Sequence, residues 1–312
     1  MKRQKLVIAI AVLLASAAVL LTSNVAFRPS TTDVSTATGR SVVVSIGVLG
    51  EIVYRLTDGS VEVQTVIQSG ADLHDWEPTP RDVEKVRRAV LVLYVMKTLD
   101  GRMIDLARSA GSNARVVEVS AHHSVRTLMM NGAPDPHVWL SLRNYAAMID
   151  VVASELITAF PEMSDRIRSR ADRLKGEVLG LYNEFLGKFE KHRGKLFVTE
   201  HRAFSYLAEE FGLRSLALIG AEEEELSPRW LSTLKGEVLK NDVKVVYAEP
   251  LLTHQEHHHA SALLERFAEE LQLQVKFLDP LEGMDLEDAL KGRGYVQMMR
   301  ENLESLLEGF ES

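Results

Sequence analysis

Three histidines of this sequence stand beside acidic residues, at places where predicted strands and helices meet. His74 lies in GADLHDWEPTP, residues 70–80, after an alternating apolar run and before a helix that Thr79 would cap. Loops at such strand-to-helix junctions carry ligand groups in α/β proteins. A histidine among carboxylates suits a metal ion better than a packed core, so this segment predicts a metal ligand.

Three further positions have a similar context. Asp135 and the proline after it predict a helix start that places His137 in the first turn, where the helix dipole disfavours a protonated imidazole. His201 follows a predicted strand at 196–199, and Asp279 directly follows another predicted strand. Open α/β sheets bind their ligands at the carboxyl ends of strands, so these side chains are expected to meet.

Three imidazoles and one carboxylate would form a four-coordinate site. This ligand set suits Zn²⁺ and is borderline for Mn²⁺ or Fe²⁺. Glu200, next to His201, is a possible additional carboxylate ligand. Glu249 follows a predicted strand and could hold a ligand imidazole through its second ring nitrogen.

The composition excludes several other classes of protein. The chain has 312 residues, of which 46% are hydrophobic and 26% charged, so it is long enough for two domains and is not wholly disordered. A formal net charge of −8 argues against nucleic acid as a partner. The absence of cysteine leaves histidine, aspartate and glutamate as the metal ligands.

Apolar strand patterns alternate with helical patterns along most of the chain, which predicts an α/β fold with parallel sheets. Between two such regions, residues 162–192 form one helical pattern of about 31 residues. A coiled-coil arm is one interpretation of it. We favour a long helix that joins two Rossmann-like βα lobes, because α/β patterns stand on both sides, with the metal site in the cleft between the lobes.

The first residues have the features of an export segment. Lys2, Arg3 and Lys5 precede an apolar run that ends in polar residues, which is typical of a signal peptide and also allows a membrane anchor. The predicted organisation is a signal peptide or anchor at 1–26, a flexible tether at 27–40, an N-terminal lobe at 41–160, a linking helix at 161–193 and a C-terminal lobe at 194–312. We therefore expect the protein to work outside the cytoplasmic membrane and close to it.

Five segments carry a resemblance to a known family: GADLHDWEPTP, DPHVWL, VTEHRAFSYL, VVYAEP and YVQMMRENLESL. With them, the chain from about residue 42 to its end resembles the zinc- and manganese-binding solute-binding proteins of ABC importers. The first two motifs are specific in combination.

The resemblance implies a ligand set and partners. By this likeness His74, His137, His201 and Asp279 bind the metal ion, and histidine at the third place points to zinc, where glutamate points to manganese. The implied fold has a rigid linking helix. The implied partners are an ABC permease and its ATPase subunit, with the receptor itself a monomer that performs no catalysis.

The sequence departs from the family pattern in three ways and leaves alternatives open. It has no lipobox cysteine, it lacks a long His/Asp-rich loop, and Glu200 weakens the choice of zinc over manganese. The alternatives are a Mn²⁺ or Fe²⁺ receptor, a zinc hydrolase with Glu77, Glu200 or Glu249 as general base, and an adhesion protein.

Overall fold

Two parallel β-sheets form the framework of the protein. A computed structural model describes residues 40–68, 73, 76–130, 132–219, 227–250 and 255–312, with side chains from residue 262 onward in the last range. The strands are β1 Ser41–Val44, β2 Glu62–Thr65, β3 Ala89–Tyr94, β4 Arg115–Glu118, β5 Met129–Met130, β6 Ala133–Pro134, β7 Leu196–His201, β8 Arg214–Ile219, β9 Val245–Ala248 and β10 Gln274–Phe277.

The first sheet has the order β2-β1-β3-β4 and the second has the order β10-β9-β7-β8, with all pairs parallel. The short strands β5 and β6 form a separate antiparallel hairpin. Every residue of the inner strands β1 and β9 is buried, as expected for strands covered on both faces. The predicted α/β class is confirmed.

Several helices begin at side-chain caps. Thr79 and Asp82 form a capping box at one helix start, as the sequence predicts, and Ser227 accepts a hydrogen bond from Trp230 N–H at another. The helices are α1 Gly47–Thr57, α2 Pro80–Arg88, α3 Lys97–Asp100, α4 Arg102–Ser109, α5 Leu142–Ala159, α6 Ser164–Phe189, α7 Ser205–Glu210, α8 Pro228–Lys240, α9 Gln255–Leu271, α10 Leu286–Leu290 and α11 Tyr295–Glu311.

The long helix between the two sheets is confirmed as α6. Its 26 residues span about 39 Å. Turns of 3₁₀-helix at Pro161–Met163 and Glu190–His192 extend it at both ends. Its buried stripe consists of Ile167, Ala171, Leu174, Val178, Leu181, Phe185 and Phe189. Because α6 packs against α1 and α5 from the first half of the chain and against α11 from the second, it is a scaffold helix and not a projecting arm.

The end of the chain returns to the first half of the molecule. A Cβ atom at Gly47 would lie 1.9 Å from the carbonyl oxygen of Met284, so only glycine allows this close approach. Tyr295 donates its backbone N–H to the buried carboxylate of Glu51 at 2.8 Å and stacks its ring on Tyr145 at 3.4 Å between centroids. These contacts hold the segment between β10 and α11 against helix α1.

Residues 37–312 form one compact unit. The predicted signal peptide or anchor at 1–26, and the predicted tether except for its last residue, lie outside the described residues. Within the described part of the chain, no helix is both long and apolar enough to cross a membrane. The lobe boundaries at 160 and 193 stay predictions, although the strands of the two sheets fall on either side of them.

Candidate metal centre

Three side chains meet between the two sheets. His137 Nε2 and His201 Nε2 lie 3.1 Å and 3.3 Å from the same atom, Glu282 Oε1. The two imidazole rings are 5.6 Å apart between centroids. Within the described residues, these three side chains form a group whose candidate ligand atoms all lie within 4.8 Å of one another. Such a group can hold a metal ion.

His137 lies in a turn that leads from the β5–β6 hairpin to helix α5. The predicted helix start at Asp135 is wrong, because α5 begins at Leu142, where Ser141 accepts a hydrogen bond from Asn144 N–H. A short 3₁₀ turn precedes it, and His137 is the residue that leads into this turn. Asp135, which the sequence predicts to cap a helix, instead contacts the side chain of His137.

Asp135 holds the His137 imidazole from behind. Its Oδ1 lies 2.8 Å from His137 Nδ1 and accepts the backbone N–H of His137 at 3.1 Å. The backbone of Asp135 is fixed in turn, because Tyr206 donates its hydroxyl to the Asp135 carbonyl at 2.6 Å. With Nδ1–H directed to Asp135, the Nε2 atom of His137 is the one presented to Glu282 and to a metal ion.

His201 is the last residue of β7, because this strand runs two residues further than the sequence predicts. Its Nδ1 contacts Glu249 Oε1 on the loop after the neighbouring strand β9. The backbone N–H of Glu249 donates to Glu200 Oε2 at 2.9 Å. Glu249 therefore lies where the sequence predicts, behind an imidazole, whereas Glu200 supports the loop of Glu249 and lies outside the ligand group.

Glu282 stands in an irregular segment after β10, which we call the Glu282 loop (residues 279–284). Asn302 on α11 holds the backbone of Asp279. Its side chain accepts the Asp279 N–H and donates to the Asp279 carbonyl. Leu281, fully buried, has the left-handed φ of +61°. A non-glycine residue keeps this conformation only where its surroundings enforce it.

The structure does not bring Asp279 into the ligand group. Its Oδ1 accepts the backbone N–H of Leu281 at 2.8 Å, and its Oδ2 lies 3.8 Å from the guanidinium of Arg293. Its role as a ligand stays a prediction that these contacts do not support. Sequence reasoning chose the acid nearest the strand end and did not consider Glu282, three residues later, which the structure places in the candidate group. The available signal was that a second acid follows the Asp279-Pro280 turn.

His74 and Glu77 are also candidate residues from the sequence. His74 lies outside the described residues, so its place as a ligand stays a prediction. Glu77 is 78% exposed at its side chain and forms an ion pair with Arg102 at 3.3 Å. Its carboxylate faces solvent.

The ligand group is electrostatically coupled. Burial alone would raise the pKa of Glu282, but the facing imidazoles of His201 and His137 outweigh it and hold that pKa well below its ordinary value. Burial alone would lower the pKa of His201, yet Glu249 and Glu282 raise it well above 6.5. The pKa of His137 is likewise raised, by Asp135 and Glu282 against the effect of burial. A metal ion bound by these Nε2 atoms would therefore compete with protons.

The geometry fits a zinc ion. In a tetrahedral site with bonds of about 2.0–2.1 Å, neighbouring ligand atoms are about 3.3 Å apart. The two Nε2-to-Oε1 distances, 3.1 Å and 3.3 Å, are close to this value. Each imidazole is also backed by a carboxylate on its other nitrogen, the arrangement that orients histidine ligands in metal sites.

Comparison with known families also indicates a zinc-binding protein. Residues 42–309 match the ZnuA family, described as zinc-uptake complex component A, periplasmic. This chain belongs to the ZnuA family. The resemblance seen in its motifs is therefore confirmed, and the periplasmic description agrees with the extracytoplasmic location that residues 1–26 predict.

Individual ZnuA-family proteins are similar over most of the chain. The high-affinity zinc uptake system protein ZnuA of Bacillus subtilis is 27% identical over 263 residues, covering 78% of this chain and 79% of the relative. Longer streptococcal zinc-binding relatives also match, and the chain covers 53% of their length.

Two solved structures have the same fold. A Zn(II)-bound mutant variant of AdcAII from Streptococcus pneumoniae has a TM-score of 0.75 and 26% identity, covering 88% of this chain and 99% of that one. The laminin binding protein of Streptococcus agalactiae, described as bifunctional with adhesin and metal transporting activity, has a TM-score of 0.73 and 31% identity. The match covers 86% of this chain and 98% of that one.

Proposed function

We propose that this protein binds Zn²⁺ outside the cytoplasmic membrane and delivers it to the permease of an ABC importer. The observation that carries the proposal is the convergence of two carboxylate-backed imidazoles on one oxygen of Glu282. Membership of the ZnuA family supports the same function and implies a permease and its ATPase as partners. The zinc ion is the cargo and not a catalytic cofactor.

The ligand set favours zinc. His137, His201 and Glu282 supply two nitrogen atoms and one oxygen, and His74, as predicted from its motif, would supply the third nitrogen. Imidazole-rich sites suit Zn²⁺, whereas Mn²⁺ prefers oxygen ligands. Glu200 was the reason to consider manganese, and its carboxylate supports the Glu249 backbone outside the ligand group.

The alternative of a zinc hydrolase has less support. A hydrolase needs a general base within reach of a metal-bound water molecule. Glu249 contacts the His201 ring, Glu200 accepts from the Glu249 backbone, and Glu77 is paired with Arg102 at the surface. Since all three candidate bases have other contacts, we propose a receptor that performs no catalysis. The resemblance to the receptor family is the reason to propose that it acts as a monomer.

The burial of the site suggests the side from which the ion leaves. The side chains of His137 and Glu282 are 6% and 8% exposed, whereas that of His201 is 21% exposed. We infer that the zinc ion is reached from the His201 side when the permease receives it.

The first test of this function is the metal content of the purified protein, measured by inductively coupled plasma mass spectrometry and followed by a competition titration of Zn²⁺ against Mn²⁺. We expect one zinc ion per chain that excess manganese does not displace. A double variant, His137→Ala with His201→Ala, should lose it. Retention of zinc by the double variant would show that His137 and His201 are not the ligands. Preferential binding of manganese would contradict the assignment of zinc as the bound metal.

A further inference from the structure

We propose that Trp139 is a positioning residue that sets the place of Glu282 in the metal site. This inference rests on the proposed function, because it assigns Trp139 a role in metal binding at that same centre. Trp139 is two residues after His137, and it reaches the segment that carries the third ligand.

Besides the approach of His137 to Glu282, a buried hydrogen bond links the two segments. Trp139 Nε1 donates to the carbonyl oxygen of Pro280 at 2.8 Å. The indole is completely buried, and Pro280 is two residues before Glu282. One side chain therefore ties the His137 turn to the Glu282 loop.

Trp139 is itself held in place from the opposite side. The hydroxyl of Tyr295 donates to the carbonyl oxygen of Trp139 at 2.6 Å. The ring of Tyr295 stacks on Tyr145, and its backbone N–H donates to Glu51. The indole also lies edge-on to the His137 ring, at 5.5 Å between centroids. The hydrogen bond to Pro280 thus starts from a side chain that is packed on several faces.

The Glu282 loop needs such an anchor because it has no regular structure of its own. Leu281, directly before Glu282, has a left-handed conformation that is unfavourable for leucine. Asn302 fixes the loop at Asp279, and Trp139 fixes it at Pro280. Loss of the indole N–H would leave the buried carbonyl of Pro280 without this donor, which costs free energy. A shift of the Glu282 loop would lower that cost.

A shift of Glu282 would affect the metal ion more than the fold. Ligand groups act well only within about 0.5 Å of the productive geometry. Glu282 Oε1 faces both imidazoles, so a small displacement changes its distance to both. We therefore expect weaker and less regular coordination in a protein that remains folded.

The test compares Trp139→Phe with Trp230→Phe. Trp230 is a matched control, because its Nε1 also donates to a backbone carbonyl, that of Ala217 at 3.2 Å, on strand β8 and away from the ligand group. Both changes keep a large apolar ring and remove one N–H. Zinc release to a chelator in stopped flow should become about tenfold faster in Trp139→Phe, and stay within about twofold of the wild type in Trp230→Phe.

A second measurement separates positioning from general destabilisation. Protein loaded with Co²⁺ in place of zinc reports coordination geometry in its visible absorption, and the spectrum should change in Trp139→Phe only. Tyr295→Phe, which removes the bond that holds Trp139, should change the release rate in the same direction by a smaller factor. It also serves as the test if Trp139→Phe fails to fold.

The outcomes distinguish the two proposals. Equal release rates and equal Co²⁺ spectra in Trp139→Phe and Trp230→Phe would overturn the role of Trp139 and leave the zinc receptor intact. If Trp139→Phe fails to fold, an unchanged release rate in Tyr295→Phe would overturn that role. A wild-type protein that binds neither zinc nor cobalt would overturn the proposed function itself.

Discussion

The two imidazoles of the candidate metal centre are each oriented by a carboxylate, but these carboxylates come from different structural elements. His137 is held by Asp135, two residues away in the same turn. His201 ends a strand and is held by Glu249, which follows the neighbouring strand 48 residues later. His137 thus depends on the local conformation of a turn, and His201 on the pairing of β7 with β9.

The two halves of the candidate centre also differ in burial and in the elements that support them. The His137 side is buried and tied through Trp139 to the Glu282 loop. The His201 side is more exposed and stands at the carboxyl end of β7, an inner strand of a parallel sheet. Glu282 faces both imidazoles, so both halves of the candidate centre depend on its position.

The largest effect should follow from removal of this shared ligand. Glu282→Gln should weaken zinc binding by about a thousandfold, because it removes a charged ligand and the partner of two imidazoles. Asp279→Asn, in the same loop, is the matched control and should cost no more than about tenfold. Competition titration measures both. Equal losses in the two variants would restore Asp279 as a metal ligand.

Acid should weaken zinc binding through both imidazoles. Because the pKa values of His137 and His201 are raised in the metal-free protein, protons begin to compete for Nε2 above pH 6.5. Zinc affinity should therefore fall as the pH falls, by up to about a hundredfold per pH unit once both rings hold protons.

The same groups should stabilise the metal-free protein most at mildly acidic pH. The raised histidine pKa values contribute stability that is present below pH 6.5 and lost as the pH rises through the folded-state values. The lowered pKa of Glu282 contributes stability that is present above pH 4.5 and lost as the pH falls. Urea unfolding and zinc titration across pH 4–8 measure both trends. A zinc affinity independent of pH would contradict them.

The carboxylates behind the imidazoles provide a comparison of the two scaffolds. Glu249→Gln and Asp135→Asn should each weaken zinc binding by about 10- to 100-fold, since an amide orients the ring less well. Truncation to alanine should separate the two further: Asp135→Ala should also lower thermal stability measurably, because Asp135 accepts the backbone N–H of His137 as well as contacting its ring. A loss of affinity in one variant alone would show that the two devices are not equivalent.

The smallest effect on zinc affinity is expected from a change of Glu200, which lies outside the ligand group. Glu200→Gln keeps an oxygen that can accept the Glu249 N–H, so zinc affinity should change by no more than about threefold. The preference for zinc over manganese should not change. A variant that exchanges this preference would show that Glu200 acts as a ligand after all.

Much of the fold could be predicted from the sequence because its signals are local. The inner strands β1, β3 and β9 are largely apolar, Thr79 caps the helix that the sequence predicts it to cap, and α6 follows from seven apolar residues at helical spacing. The error at Asp135 is also local in origin. An Asp-Pro pair is typical of a helix start, and only the contact of Asp135 with the His137 ring reveals its other use.

The candidate site could be predicted in part. His137 and His201 were named from their motifs and lie in the group that the structure brings together, whereas Glu282 depends on a left-handed residue at Leu281 and on anchors from Trp139 and Asn302. Those anchors come from 141 and 23 residues away along the chain, and no spacing in the sequence encodes such contacts.

The most direct test of the central claim is a crystal structure of the zinc-loaded protein with anomalous scattering data collected at the zinc absorption edge. We predict one strong anomalous peak within about 2.0–2.2 Å of His137 Nε2, His201 Nε2 and a carboxylate oxygen of Glu282. A peak bound by Asp279 in place of Glu282, or one away from both histidines, would contradict the account.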